Sequence, residues 1–238
     1  MALSAVKATL IQGSGASVVG SVSATGGNAL IVGGAYYCGS ATPGSWTVTR
    51  SGDTYTTDTE GVSLGTTDKH RTGIASAPNV ANGAVNLTIA VTNGVSCSGW
   101  ALEVSGPPTS GIRDATSPSC AAGGSTTATA NSLTNATANA IFVNAVGSES
   151  SANPTTLTTP SGYTVTVGGV TMHELNGQAQ QVSGLWYKIV SATGAETPAT
   201  TVTSSQWTDA IAVYKDGGGG GGGPTPVFQY MLPLLGVG

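Results

Sequence analysis

Helical periodicity is almost absent from this chain. Short β-rich runs alternate instead with Gly, Pro, Asn and Ser along most of its length. A helix needs an apolar stripe every three to four residues, whereas a strand alternates with period two or stays apolar when both faces are covered. Strands are expected at 5–12, 17–24, 29–37, 45–50, 54–58, 84–92, 99–105, 138–147, 163–167, 170–175, 183–191, 199–203 and 210–215. Ala29-Leu-Ile-Val-Gly-Gly-Ala-Tyr-Tyr is continuously apolar and reads as a central strand covered on both sides. Val85-Asn-Leu-Thr-Ile-Ala-Val-Thr alternates and should bury one face. Asn82-Gly83 reads as a short turn. The fold class that follows is all-β: an antiparallel β-sandwich, jelly-roll-like, with an extended C-terminal arm.

Three pairs of segments recur in the same order. Asn28-Ala-Leu-Ile-Val resembles Asn139-Ala-Ile-Phe-Val, Trp46-Thr-Val-Thr resembles Tyr163-Thr-Val-Thr, and Trp100-Ala-Leu-Glu-Val resembles Trp207-Thr-Asp-Ala-Ile-Ala-Val. The domain reading is therefore a sandwich over 1–215 built from two pseudo-repeated halves, about 25–104 and 136–215. A linking stretch over 105–135, rich in Pro, Gly, Ser and Thr, joins them. One core shared by the halves is favoured over two separate domains, because each half has few large apolar residues.

Charged residues make up only 8% of the 238, against about 25% in an ordinary soluble domain. The net charge of -4 argues against nucleic-acid binding. Coiled-coil heptads are missing, and scarce charge beside abundant Val and Thr does not fit an acidic disordered tail. An enzyme is disfavoured, since the usual catalytic side chains are rare. His70, in Asp68-Lys-His-Arg, reads as a solvated loop residue, and His173 as an outward strand position. No nucleophile elbow frames a Ser/His/Asp triad. Asp53, Asp58, Glu60 and Asp68 lack the spacing of a calcium loop and read as ordinary solvated acids. No phosphate-binding loop occurs, so no cofactor is expected and no metal site is assigned. Trp46, Trp100, Trp186, Trp207, Tyr36, Tyr37 and Tyr187 offer stacking surfaces for a sugar, with core packing the favoured fate. Cys38, Cys97 and Cys120 read as reduced thiols, with a Cys97–Cys120 bridge as the alternative. No secretion signal is visible and no apolar run reaches the roughly 20 residues of a spanning helix, so folding in the cytoplasm is expected.

After Asp216 the character changes. Seven glycines, Gly217–Gly223, precede an uncharged segment, 224–238, that carries Val227, Phe228, Tyr230, Met231, Leu232, Leu234 and Leu235. Residues 216–223 read as a poly-Gly linker and 224–238 as an apolar assembly arm. So many large apolar groups are an aggregation liability in water and need a surface to bury against.

The strand segments quoted above, with Asp53-Thr-Tyr-Thr, Leu185-Trp-Tyr-Lys and Val213-Tyr-Lys, resemble a β-sandwich domain found in tailed-bacteriophage virion proteins and in bacterial surface proteins. The phage versions often end in a glycine-rich stretch and a short apolar tail, as this chain does. The resemblance covers about residues 25–215 and brings no catalytic motif. It implies a non-enzymatic virion protein, a capsid decoration protein or a head or tail fibre or knob, assembled in the host cytoplasm. Implied partners are other capsid or tail proteins and further copies of itself, a homo-oligomer such as a trimer. The alternative is an adhesin module that binds a host receptor or surface glycan.

Overall fold

In the computed structural model, placement is described for residues 2–63, 69–114, 118–149, 156–178 and 181–217. The described residues form seventeen β-strands and no helix. The first eight are β1 (Ser4–Ser14), β2 (Ser17–Ala24), β3 (Ala29–Gly39), β4 (Trp46–Arg50), β5 (Thr56–Val62), β6 (Lys69–Ala77), β7 (Gly83–Val91) and β8 (Ser96–Ser105). They build a five-stranded sheet, β1-β8-β3-β6-β5, and a three-stranded sheet, β2-β7-β4. An order of 1-8-3-6 facing 2-7-4 is that of a jelly roll. The departure is β5, which pairs with β6 instead of β4.

The remaining strands are β9 (Ser119–Thr129), β10 (Leu133–Thr134), β11 (Ala140–Glu149), β12 (Thr166–Val167), β13 (Val170–Thr171), β14 (His173–Gln178), β15 (Gln181–Val190), β16 (Ala195–Glu196) and β17 (Ala199–Lys215). Their large sheet runs β9-β17-β11-β15-β14, with β10-β16 and β12-β13 as small additional sheets. Placing β9, β17, β11, β15 and β14 over β1, β8, β3, β6 and β5 reproduces the strand order of the first half.

The two large sheets lie face to face. Their shared core joins Ile31, Ile74, Trp100 and Leu102 of the first half to Ile141, Val143, Leu185 and Tyr214 of the second. Each large sheet also buries its other face. Leu30, Val32, Trp46, Leu87 and Ile89 fill the interior of the first jelly roll. Phe142, Val146, Trp186, Ile211 and Val213 fill the corresponding interior of the second half, which is closed by Leu133 of β10 and by Leu157 and Tyr163 rather than by a three-stranded sheet. Hence β3 is buried along nearly its whole length, as its continuous apolar run implies, while β7 alternates, with Leu87, Ile89 and Val91 inward.

Several local expectations need correction. Asn82-Gly83 does not close a hairpin: β6 and β7 belong to different sheets, and residues 78–82 carry the chain between them. The 199–203 and 210–215 segments are one long strand, β17, whose register against β9 shifts between Thr201 and Ser205. β6 and β9 come from stretches that read as loop or linker. In the recurring segments, Leu30 faces its own jelly-roll interior but its sequence match Ile141 faces the opposite sheet. A one-residue offset reverses the face of every side chain in a strand, so the repeat holds for strand order but not residue by residue.

Candidate functional site

Among the described residues, several clefts gather around the point where β17 ends. The Lys215 N–H donates to the Ile112 carbonyl at 3.0 Å, that of Asp216 to Asn139 at 3.1 Å and that of Gly217 to Gly106 at 2.6 Å. The last described residues are thereby stitched to the β8–β9 connection and to the start of β11. Three open clefts adjoin this point. The first, of about 450 Å³, is bordered by Leu3, Asn139, Ile189, Val190 and Asp216. The second and third, of about 530 and 340 Å³, share Pro108 and Gly217. The assembly residues expected from the sequence, Val227, Phe228, Tyr230, Met231, Leu232, Leu234 and Leu235, lie outside the described residues.

The groups that could do chemistry are bound into the fold one by one. Arg50 and Asp53 form a buried ion pair at 2.5 Å, and Arg50 also donates to the carbonyls of Ala81 and Gly83. Glu60 bonds Arg71 at 2.8 Å and accepts from the Trp46 N–H. Asp58 accepts from the Tyr214 hydroxyl at 2.6 Å, with the Arg113 guanidinium 3.4 Å away. Glu103 accepts from the Thr25 N–H and the Asn28 amide, and Asp114 from the N–H groups of Ala136 and Thr137. Each carboxylate therefore fastens a loop or a neighbouring strand. Asp58 and Glu60 are strand residues with protein partners, not solvated loop acids, and Asp68 lies outside the described residues. Among the described residues no group of three or more His, Cys, Asp or Glu could hold a metal ion.

His70 corrects the sequence reading most sharply. It is fully buried on β6, facing the opposite sheet, and an added Cβ on Gly147 of β11 would come 3.1 Å from its ring. Burial pushes its pKa down to about 4, against a weaker opposing pull from a backbone hydrogen bond at Gly147. A ring kept neutral and shut away from solvent has no substrate to serve. Asp209 is also fully buried. It accepts from the Asn144 amide within the second half, and burial raises its pKa well above the usual carboxylate range, against the opposing pull of that bond. No signal in the residues themselves marks this burial, because it depends on which strands and sheets pack over Asp58, His70 and Asp209.

The aromatic candidates for sugar stacking are mostly interior. Trp46, Trp100 and Trp186 are completely buried and Trp207 retains 8% exposure; Tyr36 is buried, whereas Tyr37 and Tyr187 are half-buried. All three cysteines are free thiols. Cys97 faces the first jelly-roll interior, while Cys120 lies beside Gly61 at the seam between the large sheets, so a Cys97–Cys120 bridge does not form. Among the described residues no helix is long and apolar enough to cross a membrane. No family model, no curated protein and no solved structure matches this chain.

Proposed function

We propose that this chain is a non-enzymatic structural protein of a tailed-phage virion. Its β-sandwich body is displayed on the capsid or tail, and residues 224–238 are the anchor. The observation that carries this reading is the position of the exit point. β17 contributes to both the sheet–sheet core and the interior of the second half, and its end is tied at Gly217 to the β8–β9 connection. Beyond Gly217 the composition of the sequence changes from Thr-rich strand to glycine and then to large apolar residues. The engagement of Arg50, Asp53, Asp58, Glu60, Glu103 and Asp114 in fastening the fold supports a scaffold over a catalyst.

The test uses virions of the phage that encodes the chain. Phe228→Ser, Leu232→Ser, Leu234→Ser and Leu235→Ser are introduced together into the full chain, and purified particles are assayed by mass spectrometry. The wild-type chain should be present in particles. The serine chain should be soluble, folded by circular dichroism and depleted from particles by about tenfold or more, the loss expected when several apolar anchors are removed from an interface. Equal incorporation of both chains sinks the anchor.

A further inference from the structure

The clefts at the end of β17 lie within reach of the segment that follows it. The first is lined on its apolar side by Leu3, Ile189 and Val190, and Ile189 is one of the few large apolar side chains left exposed, at 43%. Its rim includes Asp216, one residue before the glycine run. Val227 lies ten positions beyond Gly217. Such a stretch reaches at most about 36 Å and, as a glycine-rich coil, spans about 17 Å on average. A cleft bordered by Asp216 is well inside that radius. A short tether holds its two ends at an effective concentration in the millimolar range. A second copy at micromolar concentration competes with that by a factor of about one-thousandth. Charge raises no objection, because 224–238 carries none.

We propose that residues 224–238 dock, before assembly, in the cleft of their own subunit formed by Leu3, Ile189 and Val190. The arm is thereby sheltered from water until a scaffold surface competes for it. The release step rests on the anchoring role proposed above; the docking itself does not. Sheltering resolves a physical difficulty of the anchor, which must stay soluble in the free subunit and yet be apolar enough to bind in the particle.

Methyl NMR of the full chain, with labelled isoleucine δ1 methyls, tests the docking. Eight isoleucines give eight signals, and Ile189 is the one exposed in the cleft. In the wild type the Ile189 methyl should show cross-relaxation to the Phe228 or Tyr230 ring. The Phe228→Ser, Leu232→Ser, Leu234→Ser, Leu235→Ser chain should shift this signal and leave buried Ile31 and Ile74 in place. The difference should be the same from about 10 to 500 μM protein, as expected for a tethered contact. Ile189→Ser in the full chain is the second arm of the test: it should release the arm and cause concentration-dependent self-association. An Ile189 signal identical in the wild-type and serine chains overturns the docking. A contact that appears only as concentration rises overturns it in favour of a second copy. Docking with undiminished incorporation of the serine chain would leave the cleft contact standing and remove the anchor; loss of incorporation without docking would do the reverse.

Discussion

At the residue scale, glycine does in this protein what charge does in most others: it decides where large groups sit. Gly73 of β6, Gly34 of β3 and Gly99 of β8 face one another across three adjacent strands. The Trp46 indole from the covering sheet lies in the trough they leave. A Cβ on Gly73 would stand 2.4 Å from Trp46 Cγ, closer than atoms tolerate. Gly73→Ala should therefore destabilise by about 1–3 kcal/mol through overpacking. Gly194→Ala, at a site with open space and ordinary backbone, should be nearly neutral. Urea unfolding with unchanged m-values checks both. Asp209 is the opposite case, a charge with no room for its hydration. Its folded pKa lies above its unfolded one, so its contribution to stability falls as pH rises above about 4 and through the raised value. Asp209→Asn keeps an acceptor for the Asn144 amide and removes the ionisable carboxyl. It should raise the melting temperature near pH 8, with the gain closing towards pH 4; an equal gain at both pH values would show that the carboxyl is not held neutral by burial. The apolar identity of Trp46 was legible in the sequence, but neither the glycine seat nor the buried acid was, because both depend on register between strands far apart in the chain.

At the element scale, β6 shows both the limits of periodicity and the chemistry of the seam. Lys-His-Arg-Thr-Gly-Ile-Ala-Ser-Ala has little apolar volume, yet it is an inner strand between β3 and β5. Small residues suit it because the opposing sheet comes close: a Cβ on Gly147 would stand 2.5 Å from both Ala35 Cβ and Thr72 Oγ1, and Thr72 bonds Thr208 across the seam at 2.5 Å. β9, Ser-Cys-Ala-Ala-Gly-Gly-Ser-Thr-Thr-Ala-Thr, escaped notice for the same reason, whereas the Val- and Ile-rich strands β2, β3 and β7 were legible within a residue or two. Size, not alternation, is what the sheet–sheet contact selects at these positions. His70 makes the seam sensitive to acid. Its folded pKa of about 4 lies below the ordinary 6.5, so as pH falls below about 6.5 the unfolded chain takes up a proton that the folded chain refuses. The stability held by a neutral His70 is fully present above pH 6.5 and declines to about pH 4, a loss of about 3 kcal/mol. Asp58 and Asp209, whose folded pKa values are raised, give the opposite slope where their titration overlaps this window. The informative quantity is therefore the stability difference between wild type and His70→Gln, measured by denaturant unfolding from pH 7 to pH 4. That difference should move against the wild type as pH falls; a flat difference would mean that the ring is solvated.

At the scale of the whole molecule, the question is why two β halves in one chain share a face. Each half has its own interior, built around Trp46 in one and Trp186 in the other. Neither five-stranded sheet, however, has a polar outer face. Ile31, Ile74, Trp100 and Leu102 on one side meet Ile141, Val143, Leu185 and Ala212 on the other. With so little charge in the chain, neither face could be wetted on its own. The polar links across the seam, Tyr214 to Asp58 and Thr72 to Thr208, each join one half to the other and are buried. Separating the halves would expose a contiguous apolar sheet and leave Asp58 without its hydroxyl donor, a loss of about 1–3 kcal/mol from that group alone. Residues 1–105 produced alone should thus self-associate through the exposed β1-β8-β3-β6-β5 face, as ultracentrifugation would show. Residues 106–217, added in equal amount, should convert the aggregate or dimer into a 1:1 complex with the pairing of the intact chain. A soluble monomer of 1–105 with full stability, indifferent to its partner half, would mean that the sheet–sheet contact is incidental. In that outcome the two halves would be independent domains joined by the connection between β8 and β9.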